Sequence, residues 1–359
     1  MKEAPIILVL DAGGTNLVFS AAQNGHVVGK PVILPAASEN LHEFLQKLIA
    51  GFKTVGEQSH KTPSAISFCF PGPADYEKGI IGDLENLPFF KGGVPLKDML
   101  EKKFNIPVFI NNDGDLFALG EALGGLQAEI NFVSNKNYRN LLGVTLGTGF
   151  GGGIVSNGRL FLGDNSAAGE INRMSNFFDR NKSVEETLSI RGIKNLFAEK
   201  TGKSIIDVPE PYEIYKIGMG EAPGNKDAAI EAWEDFATVL ADAIANAATL
   251  IDGNVVIGGG LSGAYPLFLD KTVELLNGYF KKETGETVPR MEIKAYNWHN
   301  KEDREAFLKY EPKKIAVPFS DDFVEYESEK KIAIGVSTLG TSQAVALGAY
   351  HFAMNRINN

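Results

Sequence analysis

Four short stretches of the chain carry glycines, or aspartate beside asparagine, in patterns that can handle an anion or a proton. The first is Asp11-Ala-Gly-Gly-Thr15, set between two apolar runs. Glycines at 13 and 14 let a backbone approach an anion with no Cβ in the way. Successive N–H groups there can form an anion-binding nest, to which Thr15 adds a hydroxyl donor. Asp11 can hold Mg²⁺, directly or through water, because that ion prefers oxygen ligands. A plain hairpin turn would use the same residues. The second stretch is Leu146-Gly-Thr-Gly-Phe-Gly-Gly-Gly153, in which Gly147, Gly149 and Gly152 fit Gly-x-Gly-x-x-Gly. A dinucleotide fingerprint must open a helix, whereas residues 153–156 read as strand and Asn157-Gly158 turns them back. This loop therefore caps a hairpin, as the first one does. Two such loops facing each other across a cleft can grip a polyphosphate. The third, Val255-Val-Ile-Gly-Gly-Gly-Leu-Ser-Gly263, repeats the pattern at Gly258, Gly260 and Gly263 between a strand and a helix. It fits a nucleotide-redox loop but lacks the acidic residue that would hold a ribose. Equally, it could pass the backbone beside an adenosine. The fourth is Phe109-Ile-Asn-Asn-Asp-Gly114. Asp113 closes a short apolar strand, where α/β proteins place ligands, and it precedes a helix, where an aspartate is also a common cap.

The elements that must position these residues follow from periodicity. Residues 6–10 and 17–22 read as strands joined by the first loop, and Asn24-Gly25 is a hairpin turn signal. Leu41, Phe44, Leu45, Leu48, Ile49 and Phe52 recur at helical spacing, with Ser38 as the cap. Strands follow at 66–70 and 107–110, and a helix at 116–123 ends at Gly124-Gly125. The polar stretch 134–140 reads as a linker. A second strand, glycine turn and strand then begins at 141, so the chain states one theme about once per half. A long helix covers 228–251, a strand 254–257, and a helix starts near Pro266. Residues 294–331 are rich in charge and carry no clear period. A last helix, 342–356, is rich in small residues and could cross back to the first domain.

The 359 residues suggest two domains, because single cores rarely grow past roughly 250–300 residues. With 44% hydrophobic and 22% charged residues the chain is globular rather than disordered. Its net charge of −10 and lack of a basic stripe argue against a nucleic-acid binder. No apolar run reaches the 18 or so residues of a membrane span. The single cysteine, Cys69, lies in an apolar run, has no histidine near in sequence, and reads as a small buried hydrophobe. One cysteine permits no internal disulfide, which favours a reducing compartment, the cytoplasm.

Asp11-x-Gly-Gly-Thr15, Phe70-Pro-Gly-Pro-Ala-Asp75, Asn86-Leu-Pro88, Asn112-Asp113, the 147–153 loop, Ala168-Gly-Glu-Ile171 and Gly258-Gly-Gly260 occur in one order. That order resembles the ROK family (repressors, open reading frames, kinases), which includes glucokinases, fructokinases and N-acetylmannosamine kinases. The resemblance runs, with gaps, over most of the chain. It implies an α/β fold of two ribonuclease-H-like domains, of the actin/hexokinase ATPase type, flanking a cleft. Residues 1–130 would form the first domain, with a C-terminal helix at 342–359 packing back on it, and 138–341 the second. It implies ATP-dependent phosphorylation of a hexose or N-acetylhexosamine hydroxyl in a cytoplasmic homodimer that binds neither nucleic acid nor membrane. Asp11, Gly13, Gly14, Thr15, Gly147, Thr148 and Gly149 would hold the ATP phosphates and Mg²⁺. Gly258, Gly259 and Gly260 would lie by the adenosine. Gly72, Asn86, Asn112, Asp113, Glu170 and Glu185 would contact the sugar, with Asp113 as the catalytic base.

The chain departs from the family's pattern in three places. The family's Glu-x-Gly-His is here Glu170-Ile-Asn-Arg173, so Arg173 stands among the sugar residues where a zinc-bound histidine is usual. It could pair with Glu170 or Glu185, or reach a substrate group. Aligned on Glu185, the family's zinc loop places Asn176, Phe178 and Ser183 where cysteines belong. No zinc site is expected, and Phe177 and Phe178 are expected to anchor the loop by packing. The segment from about 289 to 337 is longer than usual. Only ten residues precede Asp11, so a repressor of the family, with its helix-turn-helix ahead of the first loop, is not expected. The other readings are a sugar-binding or sensing member of the family without catalysis, and an oxidoreductase using the 258–263 loop.

Overall fold

The computed structural model of the chain describes residues 4–12, 16–84 and 87–358. Gly13, Gly14, Thr15 and Asn86 of the predicted site lie outside the described residues. Two compact units divide the chain: 1–125, 153–169 and 339–359 form one, and 126–152 and 170–338 form the other.

The first unit is built on a five-stranded sheet in the order His26–Pro35, Asn16–Gln23, Ile7–Ala12, Ala65–Cys69, Val108–Asn111. Ile7–Ala12 is antiparallel to Asn16–Gln23 and parallel to Ala65–Cys69, which is parallel to Val108–Asn111. The Asn24-Gly25 turn has both residues at positive φ (54° and 78°), the backbone a two-residue hairpin requires. The amphipathic helix Leu41–Gln58 buries Phe44, Leu48, Phe52 and Val55. These join Phe19, Phe68, Phe70 and Phe90 in one core. Burying each such ring contributes about 1.5–3 kcal/mol. The cap of this helix is Asn40, whose side chain accepts from Glu43 N–H at 3.0 Å. Ser38 instead donates to the Ala36 carbonyl, so the predicted cap is two residues early.

The helix Thr341–Ile357 lies against Ile7–Ala12, Ala65–Cys69 and the helix Asp113–Leu123. The two helices meet backbone to backbone. A Cβ on Gly120 would stand 1.9 Å from the Ala344 carbonyl oxygen, and one on Gly348 would stand 1.8 Å from that of Leu116. The small residues read from the sequence are thus what that crossing needs. Tyr350 extends the joint by accepting from Asn24 N–H at 2.9 Å.

The second unit centres on parallel strands Leu141–Leu146, Asn254–Gly258, Lys331–Val336 and Lys294–Asn297, adjacent in that order. The 26-residue helix Lys226–Ile251 buries Trp233 and Phe236, which pack with Phe268 of Tyr265–Leu276. The segment without a clear period resolves into the edge strand Lys294–Asn297, the helix Lys301–Leu308 and a hairpin of Lys313–Ala316 with Phe323–Tyr326. Every residue of that hairpin's strands is exposed, so no buried face imposes an alternation. Among the described residues no helix is long and apolar enough to cross a membrane.

Candidate active site

In the first unit the sheet delivers Asp11, Cys69 and Asn111 to the same end. Asp11 stands near the end of its strand opposite Val18, and Cys69 pairs with Asn111 at the ends of two parallel strands. Burial pushes the Cys69 thiol up to about 12, helped by the negative charges of Asp113 and Asp11. The chain then passes from Asn111 into the helix Asp113–Leu123. Asn112 is its cap: its Oδ1 accepts from Gly114 N–H at 2.7 Å. Asp113 Oδ1 also takes that N–H, at 2.9 Å, but the residue is the first of the helix and is exposed. The capping duty that could have explained an aspartate here therefore falls on its neighbour.

Tyr76 completes this group, and no sequence motif marked it. Its hydroxyl donates to the Phe70 carbonyl at 2.9 Å. Burial pushes that hydroxyl's ionisation up, against a hydrogen bond to the Asn112 side chain. Gly72 is exposed, and a Cβ there would stand 3.2 Å from the Tyr76 hydroxyl. The position, three residues beyond Pro73 in the predicted Pro-Gly-Pro break, was its one clue.

In the second unit the two glycine loops lie side by side. The Gly147–Gly149 turn closes with Gly147 N–H donating to the Gly149 carbonyl at 2.9 Å, and Ile190 N–H holds the Gly147 carbonyl at 2.8 Å. Leu146 accepts from Leu261 N–H at 3.0 Å, which latches the 258–263 loop beside it. The glycines differ in what they are for. Gly259 has φ +87°, and its Cβ would fall 2.2 Å from the Leu146 carbonyl oxygen, so the fold itself requires glycine. A Cβ on Gly149 would stand 2.6 Å from the Glu185 carboxylate. A Cβ on Gly147 or Gly260 would meet nothing within 4 Å. A glycine the protein does not need, on a loop rim, fits a surface kept open for a bulky anion. The third loop enters its helix through the short turn Ser262–Ala264.

Glu185 ties the loop to the predicted sugar residues: its Oε2 accepts from Phe150 N–H at 3.0 Å. Glu170, Arg173 and Thr148 are exposed. Among the described residues Arg173 makes no ion pair with Glu170 or Glu185; only its N–H reaches the Glu170 carbonyl, at 3.1 Å. The predicted anchors of the following loop are corrected. Phe177 and Phe178 are half-exposed, at 49% and 54%. The anchor is Asn176, buried, whose amide donates to Thr187 Oγ1 (2.8 Å) and the Ser183 carbonyl (3.4 Å) and accepts from Phe178 N–H (3.0 Å). Its own N–H donates to the Lys182 carbonyl at 2.8 Å. A planar amide can serve three partners at once, which a phenyl ring cannot. Among the described residues no cluster of three or more His, Cys, Asp or Glu could hold a metal.

Comparison with known proteins gives these features a family. The model of the ROK family matches residues 7–301. An N-acetyl-D-glucosamine kinase of Photobacterium profundum is 31% identical over 274 residues, 70% of this chain and 83% of the relative. A glucokinase of Halalkalibacterium halodurans is 29% identical over 281 residues, covering 71% and 80%. The crystal structure of a glucokinase from Parabacteroides distasonis ATCC 8503 superposes with a TM-score of 0.89 at 45% identity, over 99% of this chain and 98% of that one. The chain belongs to the ROK family. It has the α/β fold of the actin- and hexokinase-like ATPases and is an ATP-dependent sugar kinase.

Proposed function

We propose that Asp113 is the general base of this kinase and that glucose or its N-acetylated relative is the sugar. What carries the reading is the division of labour at the helix start: Asn112 caps, and Asp113 presents a carboxylate at the end of a parallel strand. A carboxylate so placed can take the proton of a sugar hydroxyl while that oxygen bonds to the γ-phosphorus of ATP. ATP supplies the phosphoryl group, and Mg²⁺ would neutralise its charge. Gly72, Asn86 and Asn112 would orient the sugar, with Tyr76 holding Asn112 in place. Glu170 and Glu185 would take further hydroxyls, Glu185 with the carboxylate oxygen that Phe150 N–H does not occupy. Asp11, Gly13, Gly14, Thr15 and the open rim at Gly147 and Thr148 would hold the phosphates, and Asp11 the magnesium ion. Gly258, Gly259 and Gly260 would pass beside the adenosine. Arg173, without a carboxylate partner among the described residues, would meet the substrate. The named relatives act on glucose and N-acetylglucosamine, which supports a neutral hexose. A cytoplasmic homodimer that works without zinc or nucleic acid completes the reading.

The test is ADP release over a panel of hexoses and N-acetylhexosamines, with wild type, Asp113→Asn and Arg173→His. Asp113→Asn should keep the fold and most sugar affinity while turnover falls at least roughly 10²-fold, the scale of a positioned base. Near-normal turnover would remove Asp113 from that role. Arg173→His should reorder the panel, and an identical ranking would remove Arg173 from recognition.

A further inference from the structure

The first unit holds a second cavity, of about 460 Å³, that none of the sequence-predicted site residues lines. It runs along the strand Val108–Asn111, the outermost of its sheet. The far walls are Lys97, the 160–166 segment, and Phe352 and Arg356 of the last helix. Strand alternation turns Phe109 and Asn111 to one side. Phe109 meets Phe352 edge-on at 5.9 Å, so Asn111 also faces that helix, across the cavity.

The lining is chemically specific. Asn111 is 1% exposed, and its Nδ2 has no hydrogen-bond partner among the described residues. A buried amide donor left unpaired is destabilising unless something fills the role. The Arg356 guanidinium lies over the Phe352 ring at 5.2 Å and makes no ion pair among the described residues. Lys97 Nζ donates to the Glu77 carbonyl at 3.2 Å, not to a carboxylate. Two cations with donors to spare thus accompany an aromatic floor and a buried amide. Asp164 and Ser166 add acceptors on the opposite wall. An arginine and a lysine suit a phosphate. The ring, amide and carboxylate suit the apolar face and the hydroxyls of a pyranose.

We propose that this cavity is a regulatory site for a phosphorylated sugar, the class of compound the enzyme makes. Tyr76 connects it to the chemistry. It lines the cavity, and its hydroxyl donates to the carbonyl of Phe70, whose N–H is held by the carbonyl of Asn111, the residue before the cap of the helix that begins with Asp113. Asn111, on the cavity side, is two residues from Asp113. A ligand that shifts Tyr76 therefore acts on the position of Asp113 without touching the sugar.

The experiment is calorimetric titration of glucose 6-phosphate, N-acetylglucosamine 6-phosphate and inorganic phosphate into the full chain. The chain is first saturated with glucose and a non-hydrolysable ATP analogue, so that the reaction site is filled. One sugar phosphate per chain should bind, more tightly than inorganic phosphate. Arg356→Gln and Lys97→Gln should each weaken it at least roughly tenfold, the loss of one charge-assisted bond, with turnover in the absence of added product unchanged. In initial-rate assays the sugar phosphate should alter turnover noncompetitively with both substrates, and Arg356→Gln should abolish that effect. No binding to the filled enzyme, equal affinity for inorganic phosphate, or wild-type affinity in a folded double variant would each overturn the proposal. The readout is binding to an occupied enzyme, so it stands or falls separately from the role given to Asp113.

Discussion

Two glycines in neighbouring loops show how differently one residue type can be used. Gly259 is held by its own fold: a side chain would collide with the Leu146 carbonyl, and its φ is +87°. Gly147 has open space where its Cβ would be. Gly147→Ala should therefore leave the melting temperature near that of wild type and weaken ATP binding, whereas Gly259→Ala should lower the melting temperature. Calorimetry giving Gly147→Ala unchanged ATP affinity would contradict the phosphate role. In the sequence Gly147 is a consensus glycine of its motif and Gly259 lies between two such glycines, and nothing there showed their different uses, because the distinction lies in what faces the missing Cβ. Asp113 was equally ambiguous as text. That Asn112 occupies the cap is the observation from which the proposal for Asp113 starts. Tyr76 was illegible because its value comes from a fold-back onto Phe70 and Asn112, not from spacing.

At the scale of elements, the loop 174–184 is held closed by the Asn176 amide. Asn176→Ala would strand Thr187, Ser183 and Phe178 polar groups, a loss of roughly 1–3 kcal/mol. The sugar KM should rise more than the ATP KM, because Glu185 follows the loop directly; equal changes in both would detach the loop from sugar binding. Metal analysis should find far less than one zinc per chain, and a chelator without Mg²⁺ present should not move the melting temperature, since a structural zinc is worth about 10–16 kcal/mol in small fingers. The expectation of phenylalanine anchors failed because hydrophobicity suggested burial where hydrogen bonding had already closed the loop. The crossing of Asp113–Leu123 and Thr341–Ile357 has no such alternative. Gly120→Ala or Gly348→Ala forces backbones apart and should cost about 1–3 kcal/mol each. The two should not add, since they disturb one contact. Melts of the single and double variants decide this; a neutral Gly120→Ala would mean the helices cross elsewhere. Strands and helices with one buried face were legible from period, whereas 294–331 was not, because its hairpin buries neither face.

For the molecule as a whole, three titrating groups set a pH window. Burial lowers His299 and His351 from the ordinary 6.5. His299 Nε2 accepts from Val336 N–H at 2.8 Å, a bond the protonated ring cannot accept. A lowered folded value means that folding disfavours the proton. The stability from these residues is full above 6.5 and is lost as pH falls from there through the lowered values. Cys69 acts at the other end. Its thiol is raised from 9.0 to about 12, so its contribution is full below 9 and is lost as pH rises from 9 toward 12. Denaturant midpoints should therefore peak between about 6.5 and 9. His299→Gln, which keeps an acceptor without the titration, should flatten part of the acid limb. A midpoint unchanged from pH 7.5 to 5 in wild type would contradict the lowered values of these rings.

The first unit is assembled from three separated stretches, and the last, carrying Thr341–Ile357, supplies the partner of Asp113–Leu123. On a ribosome adding about 5–20 residues per second, roughly 10–40 s pass between residues 126 and 338. Throughout that interval the nascent first unit holds Asp113–Leu123 and Ile7–Ala12 without the helix that lies against them. The second unit, complete by 338, can finish first although it is encoded later. Vectorial synthesis thus leaves this enzyme with a waiting, adhesive surface, and translation speed between those points becomes a determinant of its yield.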